Sequence, residues 1–171
     1  MKNTFFLKAM AMFVFAVLFT TVAGAQSKPV ASPRDSVSGT INGAKITINY
    51  GSPSVKGRKV FGELEPFGKV WRAGANEATV FTTSKDIMVE GKKLAAGSYG
   101  FFAIPTESTW TIIFNKVAKQ WGAYKYEESK DALRVTVKPA ASAMNERLVY
   151  KINAKGFSLN WDKVSVPVSV K

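Results

Sequence analysis

Hydrophobic and polar residues alternate one by one along most of the chain that follows residue 33. The alternation is clearest in four runs, 44–50, 133–138, 157–161 and 164–170. Successive side chains of a β-strand point to opposite faces of the sheet, so each run has one apolar and one polar face. No run of useful length has the period of an amphipathic helix, and no internal repeat is present. The pattern predicts antiparallel sheets that share one core.

Turn residues and fully apolar runs indicate how these strands connect. Asn42-Gly43 suits a tight hairpin, because both central residues of such a turn need positive φ. The run 98–104 is apolar on both faces, which places it centrally, and 108–115 is predicted to pair with it. Pro167 cannot donate a ladder hydrogen bond, so the last strand lies at an edge or a bulge. The predicted fold class is all-β, a single antiparallel β-sandwich of about eight to ten strands.

Two long segments interrupt the alternation. Residues 51–69 are rich in glycine and proline, and residues 116–130 carry Trp121, Tyr124 and Tyr126 among charged residues. Loops of this length are uncommon in compact domains and are often functional. The alternative is structural, in which the aromatic side chains of the second loop cap an open end of the sandwich.

The N-terminal residues have the order of a secretory signal peptide. Lys2 and Lys8 are followed by an almost wholly apolar run, 9–22, and then by the small residues 23–25. The apolar run is too short to span a bilayer, and small residues suit signal peptidase. Cleavage at that point would make Gln26 the new N-terminus. The alternative is a retained membrane anchor.

This order divides the chain into a signal peptide at 1–25, a flexible lead-in at 26–33 and a β-sandwich domain at 34–171. The protein is therefore expected to be exported, in the periplasm or outside the cell, with no transmembrane segment after cleavage. No cysteine follows the apolar run, which excludes a lipoprotein anchor. Because the chain has no cysteine at all, an exported domain must be stable through packing alone.

The charge of the chain is strongly positive. Of its 24 basic residues, two lie in the signal peptide, which leaves 22 against 12 acidic residues. Such a charge favours an anionic partner, such as a polyanionic glycan or a phospholipid headgroup, and export argues against nucleic acid. The basic residues are scattered, so a solvated cationic surface is the alternative explanation.

The composition excludes several chemistries. The chain has no histidine and no cysteine, which removes Ser–His–Asp and Cys–His nucleophilic systems and the usual zinc, copper and haem ligands. No glycine-rich phosphate loop or Asp-rich calcium loop is present, so no metal and no cofactor is expected. Paired carboxylates could still hydrolyse a glycosidic bond, with Glu77 facing Glu63 or Glu65, unless these last two are solvated loop charges.

A binding site suits the composition better than catalysis does, and no catalytic residue is assigned. Arginine offers planar donor groups that match carboxylate, phosphate or sulfate oxygens, and aromatic side chains offer flat faces to a sugar or peptide. The candidate ligand-binding residues are Tyr50, Arg58, Trp71, Arg72, Asn76, Glu77, Trp121 and Tyr124.

The stretch VWRAGANEATVF, residues 70–81, allows two interpretations. A turn near Gly74 would bring Arg72 and Glu77 together as a partly buried ion pair, with Asn76 bonding backbone groups in the turn. Such a pair would fix the loop on the sheet without any ligand. In the other interpretation, Arg72 and Glu77 face a ligand in an open groove.

The motifs YGSPSVKGRKVFGELEPFGKVWRAGANEAT, GKKLAAGSYGFFAIP, WTIIFNK and QWGAYKY resemble the domain-of-unknown-function family 2911, a family of exported bacterial proteins. The resemblance runs from about Ser32 to the C-terminus. It implies secretion and a small β-rich domain, and it implies no reaction. The positions that match the family signature are Tyr50, Gly51, Pro53, Gly57, Arg58, Trp71, Arg72, Gly74, Asn76, Glu77 and Thr79.

Three functional hypotheses follow from the sequence. The first is a non-enzymatic exported domain that binds an anionic or glycan ligand, or a partner, in the cell envelope. The second is a carboxylate-dependent glycan hydrolase. The third is a purely structural envelope protein that works through its surface. An open groove of tryptophan and arginine favours the first, and two facing carboxylates favour the second. A polar cluster without a neighbouring pocket favours the third.

Overall fold

A computed structural model describes residues 30–171. The predicted signal peptide, 1–25, lies outside the described residues, as do residues 26–29 of the predicted lead-in. Ten strands and one short 3₁₀ turn, Glu128–Lys130, form between residues 30 and 171, and no α-helix does. The strands are β1 (Arg34–Ile41), β2 (Ala44–Gly51), β3 (Thr79–Thr83), β4 (Ile87–Val89), β5 (Lys92–Leu94), β6 (Gly97–Pro105), β7 (Trp110–Asn115), β8 (Asp131–Val137), β9 (Ala140–Asn153) and β10 (Gly156–Ser169).

The strands form one large sheet and two hairpins, all antiparallel. The large sheet has the order β1-β2-β3-β6-β7-β8, while β9 pairs with β10 and β4 pairs with β5. The long β9–β10 hairpin supplies the second layer of the sandwich. The prediction of an all-β antiparallel sandwich of about eight to ten strands is confirmed.

The turn and pairing predictions also agree with the structure. Asn42 and Gly43 connect β1 to β2 with φ values of 47° and 77°. Strand β6 lies inside the large sheet and pairs with β7, as its apolar faces predict. Pro167 lies beyond the last β9–β10 residue pair, Ser165 with Ala140, so its missing N–H interrupts no ladder.

Aromatic rings join the two layers of the core. The ring of Phe101 in β6 lies 6.0 Å from Tyr150 in β9 and 5.7 Å from Phe157 in β10. Phe81 in β3 lies 5.3 Å from Phe157. Edge-on and offset arrangements at these separations suit the quadrupoles of aromatic rings. The apolar face of the large sheet is therefore buried against the β9–β10 hairpin.

The two long loops predicted from the sequence are present. The first runs from residue 52 to residue 78, between β2 and β3, and the second runs from 116 to 127, after β7. Part of the second loop packs on the outer face of the large sheet, where Ala123 and Tyr126 contact a small apolar cluster formed by Ala78, Phe102 and Ile113. This loop covers the outer face over β6 and β7, and it borders the outer face of β1, β2 and β3.

Candidate functional site

Trp71 is part of the core rather than a ligand-stacking platform. Its ring is 3% exposed and stacks on Trp161 with ring centres 5.7 Å apart. Its backbone exchanges hydrogen bonds of 2.8 and 2.9 Å with Ala103 in β6, and its Nε1 donates to the carbonyl oxygen of Gly74 at 3.1 Å. Neither face of the indole is accessible to a ligand.

The loop after Trp71 lies directly on the end of β2. The amide of Ala75 donates to the carbonyl oxygen of Gly51 at 3.2 Å. A Cβ atom on Gly51 would lie 2.0 Å from the Ala75 carbonyl oxygen, and one on Gly74 would lie 2.8 Å from the Thr79 hydroxyl. Only glycine fits at such approaches of backbone to backbone. These two glycines of the family signature have a packing role.

Two buried hydroxyl groups form hydrogen bonds with the backbone of the same loop. The carbonyl oxygen of Ala73 accepts hydrogen bonds from the Tyr150 hydroxyl at 2.7 Å and the Thr79 hydroxyl at 2.9 Å. Burial raises the pKa of Tyr150 well above its usual value, so this phenol stays a donor. Ala73 has a φ of 50°, a conformation that costs energy for a residue with a side chain.

Tyr50 is buried beside this network, at 2% exposure. Its hydroxyl donates to Oδ2 of Asp35 at 3.1 Å and accepts from the backbone amide of Tyr150 at 3.4 Å. Burial, and next the neighbouring Asp35 carboxylate, raise its pKa to about 12. Tyr50 therefore positions Asp35 at the edge of the sheet and does not reach the surface.

The expected ion pair between Arg72 and Glu77 does not form, so the prediction of a partly buried pair is wrong. Oε2 of Glu77 lies 3.7 Å from Nη1 of Arg34, and both side chains are about half exposed, at 54% and 43%. Arg72 approaches Glu65 instead, and its buried Nε has no hydrogen-bond partner. Glu77 and its basic partner Arg34, which belongs to β1, both line an open groove on the large sheet.

Glu65 is a half-buried carboxyl between two arginines. Burial raises its pKa to about 7, and the positive charges of Arg72 and Arg58 oppose that rise. Arg58 donates from Nε to the carbonyl oxygen of Val55 at 3.0 Å and from Nη2 to that of Ser54 at 2.7 Å. Two of its five N–H donors are thus occupied by its own loop.

The two loops that the sequence analysis singled out meet in a short ladder. The carbonyl oxygen of Asn76 accepts from the amide of Gly122 at 3.0 Å, and the amide of Ala78 donates to the carbonyl oxygen of Gln120 at 2.9 Å. The side-chain amide of Asn76 donates to the carbonyl oxygen of Ser32 at 3.2 Å. Asn76 therefore ties the lead-in, the first loop and the second loop together, with a φ of 64°.

Beside this ladder an open groove of about 700 Å³ runs along the outer face of the large sheet. Directly opposed residues of an antiparallel sheet share a face, and the floor is such a row, formed by Ser36, Asn49 and Val80. The residues that line the groove are Arg34, Asp35, Ser36, Asn49, Glu77, Ala78, Val80, Lys119 and Gln120.

A second depression of about 450 Å³ adjoins the groove, and Lys119 and Gln120 line both. It is the aromatic end of the site, because Trp121 is 61% and Tyr124 is 84% exposed. The residues that line it are Val117, Lys119, Gln120, Trp121, Tyr124, Lys125 and Glu127. We refer to the groove and this depression together as the outer-face groove.

Tyr126 differs from its neighbour Tyr124. Its ring packs 5.2 Å from that of Phe102, and its hydroxyl donates to Oδ2 of Asp131 at 2.6 Å. Burial, and next the hydrogen bond to Asp131, raise its pKa. Tyr126 therefore has a structural role, although it packs on the outer face of the large sheet and not at an open end of the sandwich. Trp121 and Tyr124 are open to solvent, and a functional role for them stays a prediction.

The charges along the outer-face groove are balanced. Three basic side chains and three acidic side chains line it, namely Arg34, Lys119, Lys125, Asp35, Glu77 and Glu127. Of the candidates predicted from the sequence, Glu77, Trp121 and Tyr124 lie in the groove. Tyr50 and Trp71 are buried, and Arg58, Arg72 and Asn76 do not line it.

The residues of the groove floor were not among the candidates predicted from the sequence. Ser36 and Asn49 occupy the polar positions of alternating strands, so their outward direction was predictable. Their pairing followed from the hairpin register set by Asn42-Gly43. Nothing in the sequence indicated that the second loop would run beside them.

Within residues 30–171, no cluster of three or more acidic side chains is arranged to hold a metal ion. The same residues include no helix with the length and apolar character of a membrane span.

The fold and site define a β-sandwich with a mixed polar and aromatic groove on the outer face of its larger sheet. The family model described as Protein of unknown function (DUF2911) matches residues 32–170. The chain therefore belongs to this family, as its motifs predicted. No curated protein and no solved structure matches the chain.

Proposed function

We propose that this protein is a non-enzymatic, exported binding protein that holds a glycan chain in the outer-face groove. The observation that carries the proposal is the continuity of an open polar groove with two exposed aromatic side chains, Trp121 and Tyr124. The fold itself needs neither side chain, since neither contributes to a core cluster.

The chemistry of the groove suits a sugar chain. Aromatic rings offer apolar faces for the C–H face of a sugar ring, and a few well-placed polar groups fix its hydroxyls. Asn49 and Gln120 are neutral amides that both donate and accept, and the Oε1 atom of Gln120 is buried without a hydrogen-bond partner. The balance of charges along the groove favours a glycan of low net charge over a polyanion.

Hydrolysis is the second candidate, because Asp35 and Glu77 both line the groove. Glu63 and Glu65, the partners expected for Glu77, do not. The oxygens of Asp35 accept hydrogen bonds from the Tyr50 hydroxyl and the Ser36 amide, and Glu77 pairs with Arg34. Both carboxylates thus already have partners, which supports binding rather than acid–base catalysis.

The test is calorimetric titration with short oligomers of glucose and of N-acetylglucosamine. We expect the Trp121→Ala, Tyr124→Ala double variant to bind at least about tenfold more weakly than the wild type, since stacking on an aromatic ring contributes about 1 kcal/mol or more. Met88→Ala is the matched control, because Met88 is also exposed, at 40%, and lies outside the groove. Equal affinities for wild type and double variant would refute this site.

Mass spectrometry of the oligomers after incubation separates the two candidate functions. Intact oligomers support a binding protein, whereas shortened products that disappear in an Asp35→Asn variant would establish the hydrolase. If the wild type cleaves the oligomers, cleavage that persists in a Glu77→Gln variant would exclude a catalytic role for that carboxylate.

Export rests on the basic, apolar and small-residue order of residues 2–25. Intact-mass analysis of protein recovered from the cell envelope or medium should give a chain that starts at Gln26. A mass that retains residues 1–25 would overturn the proposed cleavage.

A further inference from the structure

Eight large hydrophobic side chains are exposed between residues 30 and 171, and three of them belong to the outer-face groove. Two others, Leu64 at 37% and Phe67 at 38%, belong to one turn, 59–68. We call residues 59–68 the apolar turn. It lies in the first long loop and does not line the groove.

The apolar turn is held firmly by its own backbone. The amide of Leu64 donates to the carbonyl oxygen of Lys59 at 3.3 Å, and the amide of Glu65 to that of Val60 at 2.9 Å. Gly62 donates back to Glu65 at 3.0 Å. Hydrogen bonds at this density restrict the backbone of the turn, so the positions that carry its partly exposed apolar side chains are fixed in the fold.

The turn is also fastened to the rest of the domain. The amide of Gly68 donates to the carbonyl oxygen of Pro105 at the end of β6, at 2.9 Å. The ring of Phe61 packs edge-on against Trp110 at 4.8 Å and against Trp161 at 5.9 Å. Phe61 thus anchors the turn in the core, while Phe67 covers Gly62 on the outside.

Basic residues flank the exposed apolar side chains in the sequence. Residues 56–72 contain five basic and two acidic residues. One of the acidic residues, Glu63, is already paired with Lys59 at 3.3 Å, and the other, Glu65, is half-buried. Lys56 and Lys69 are exposed on either side of the turn. The net charge of this segment is therefore positive, as is that of the chain as a whole.

We propose that the apolar turn docks the protein onto an anionic phospholipid surface. An apolar side chain at the headgroup boundary leaves water, and neighbouring lysine and arginine side chains are attracted to the negative leaflet. The positive segment and the exposed leucine and phenylalanine match these two requirements together. The proposal does not rest on glycan binding, because the turn and the groove share no lining residue.

The experiment measures binding to vesicles by sedimentation, with protein recovered from expressing cells and its N-terminus established by intact mass. Vesicles of phosphatidylglycerol and phosphatidylcholine are compared with vesicles of phosphatidylcholine alone. We expect binding to the anionic vesicles only, and we expect it to weaken as salt is raised, because salt screens the attraction.

Two variants test the two parts of the turn. Leu64→Ser with Phe67→Ser should weaken binding about tenfold, in line with the apolar area that remains exposed on these side chains. Lys56→Gln with Lys69→Gln should also weaken binding, and it leaves the packing of the turn untouched. The matched control, Met88→Ser with Met144→Ser, removes two exposed apolar side chains that lie outside both the turn and the groove, and it should bind as the wild type does.

Several results would overturn the proposal. Equal binding to neutral and anionic vesicles, or no binding to either, would exclude an anionic surface as the partner. Wild-type affinity in the Leu64→Ser, Phe67→Ser variant would show that the turn does not enter the membrane. Loss of binding in the Met88→Ser, Met144→Ser control would show that the membrane contact is not specific to the apolar turn. If the Leu64→Ser, Phe67→Ser variant fails to fold, the Lys56→Gln, Lys69→Gln variant tests the proposal by itself. Unchanged binding of that lysine variant to anionic vesicles would refute the proposal.

Discussion

Replacement of Glu65 by glutamine should change how the stability of this protein depends on pH. Burial raises the pKa of Glu65 from 4.5 to about 7 in the folded protein. The unfolded chain therefore releases this proton at lower pH than the folded chain does. Its contribution to stability is fully present below pH 4.5 and is lost as the pH rises towards 7. Glutamine is neutral throughout, so the variant lacks this loss.

The size of the effect follows from the two pKa values. One pKa unit corresponds to 1.36 kcal/mol, so the difference between 4.5 and about 7 corresponds to at most about 3 kcal/mol. Partial contact of Glu65 with water reduces this figure, and we expect about 1–3 kcal/mol. Relative to the wild type, Glu65→Gln should gain this much unfolding free energy between pH 4.5 and pH 8.

Urea denaturation across this pH range measures the effect. The slope of unfolding free energy against urea concentration should be the same for the variant and the wild type, which shows that both expose the same surface on unfolding. The window is favourable because the chain has no histidine, and histidine is the side chain that ordinarily titrates there. Glu63→Gln is the matched control, because Glu63 is exposed and should change stability by less than about 0.5 kcal/mol at any pH. If the difference in unfolding free energy between Glu65→Gln and the wild type stays constant from pH 4.5 to 8, burial does not raise the pKa of Glu65 as described.

Three further predictions follow from the packing of the first loop and are measured by the same denaturation. Gly51→Ala should destabilise the protein by more than about 2 kcal/mol, because the added Cβ atom would lie 2.0 Å from a backbone oxygen. Its control, Gly57→Ala, should cost only about 1 kcal/mol, because Gly57 has a φ of 69° but open space around it. Tyr150→Phe should cost about 1 kcal/mol through one lost buried hydrogen bond, whereas Tyr124→Phe should cost nothing measurable. Glu77→Ala should cost less than about 0.5 kcal/mol, since its pair with Arg34 is exposed, and a cost of 3 kcal/mol or more would restore a buried ion pair.

The alternation of side chains was sufficient to predict the fold class and several strand positions. Ala44, Ile46, Ile48 and Tyr50 are all buried, as their period-two spacing requires. Strand β9 was harder to predict, because its first residues, 140–144, are mostly exposed on both faces and show no alternation. Its position depends on pairing with β10, which periodicity within β9 alone does not reveal.

The candidate site could be predicted only in part, because its contacts join distant parts of the chain. From the sequence, Trp121 and Trp71 are equally good candidates for ligand binding. In the structure Trp71 is buried because it stacks on Trp161, a residue distant in the sequence, whereas Trp121 is exposed. Glu77 was matched with its nearest arginine in sequence, whereas its partner, Arg34, lies on the edge strand. Local patterns predict which residues are polar, and tertiary pairing decides which of them meet.

The ladder between residues 76–78 and 120–122 has a consequence for how the protein can diversify. A Cβ atom on Gly51 would meet a backbone oxygen at 2.0 Å and Ala73 is fully buried, so the base of the first loop tolerates few other side chains. Trp121 and Tyr124, on the other side of the ladder, contact solvent and carry little of the packing. Under the proposed function, substitutions there would change which glycan the groove holds while the sandwich stays intact. One scaffold would then supply related binding proteins of different selectivity.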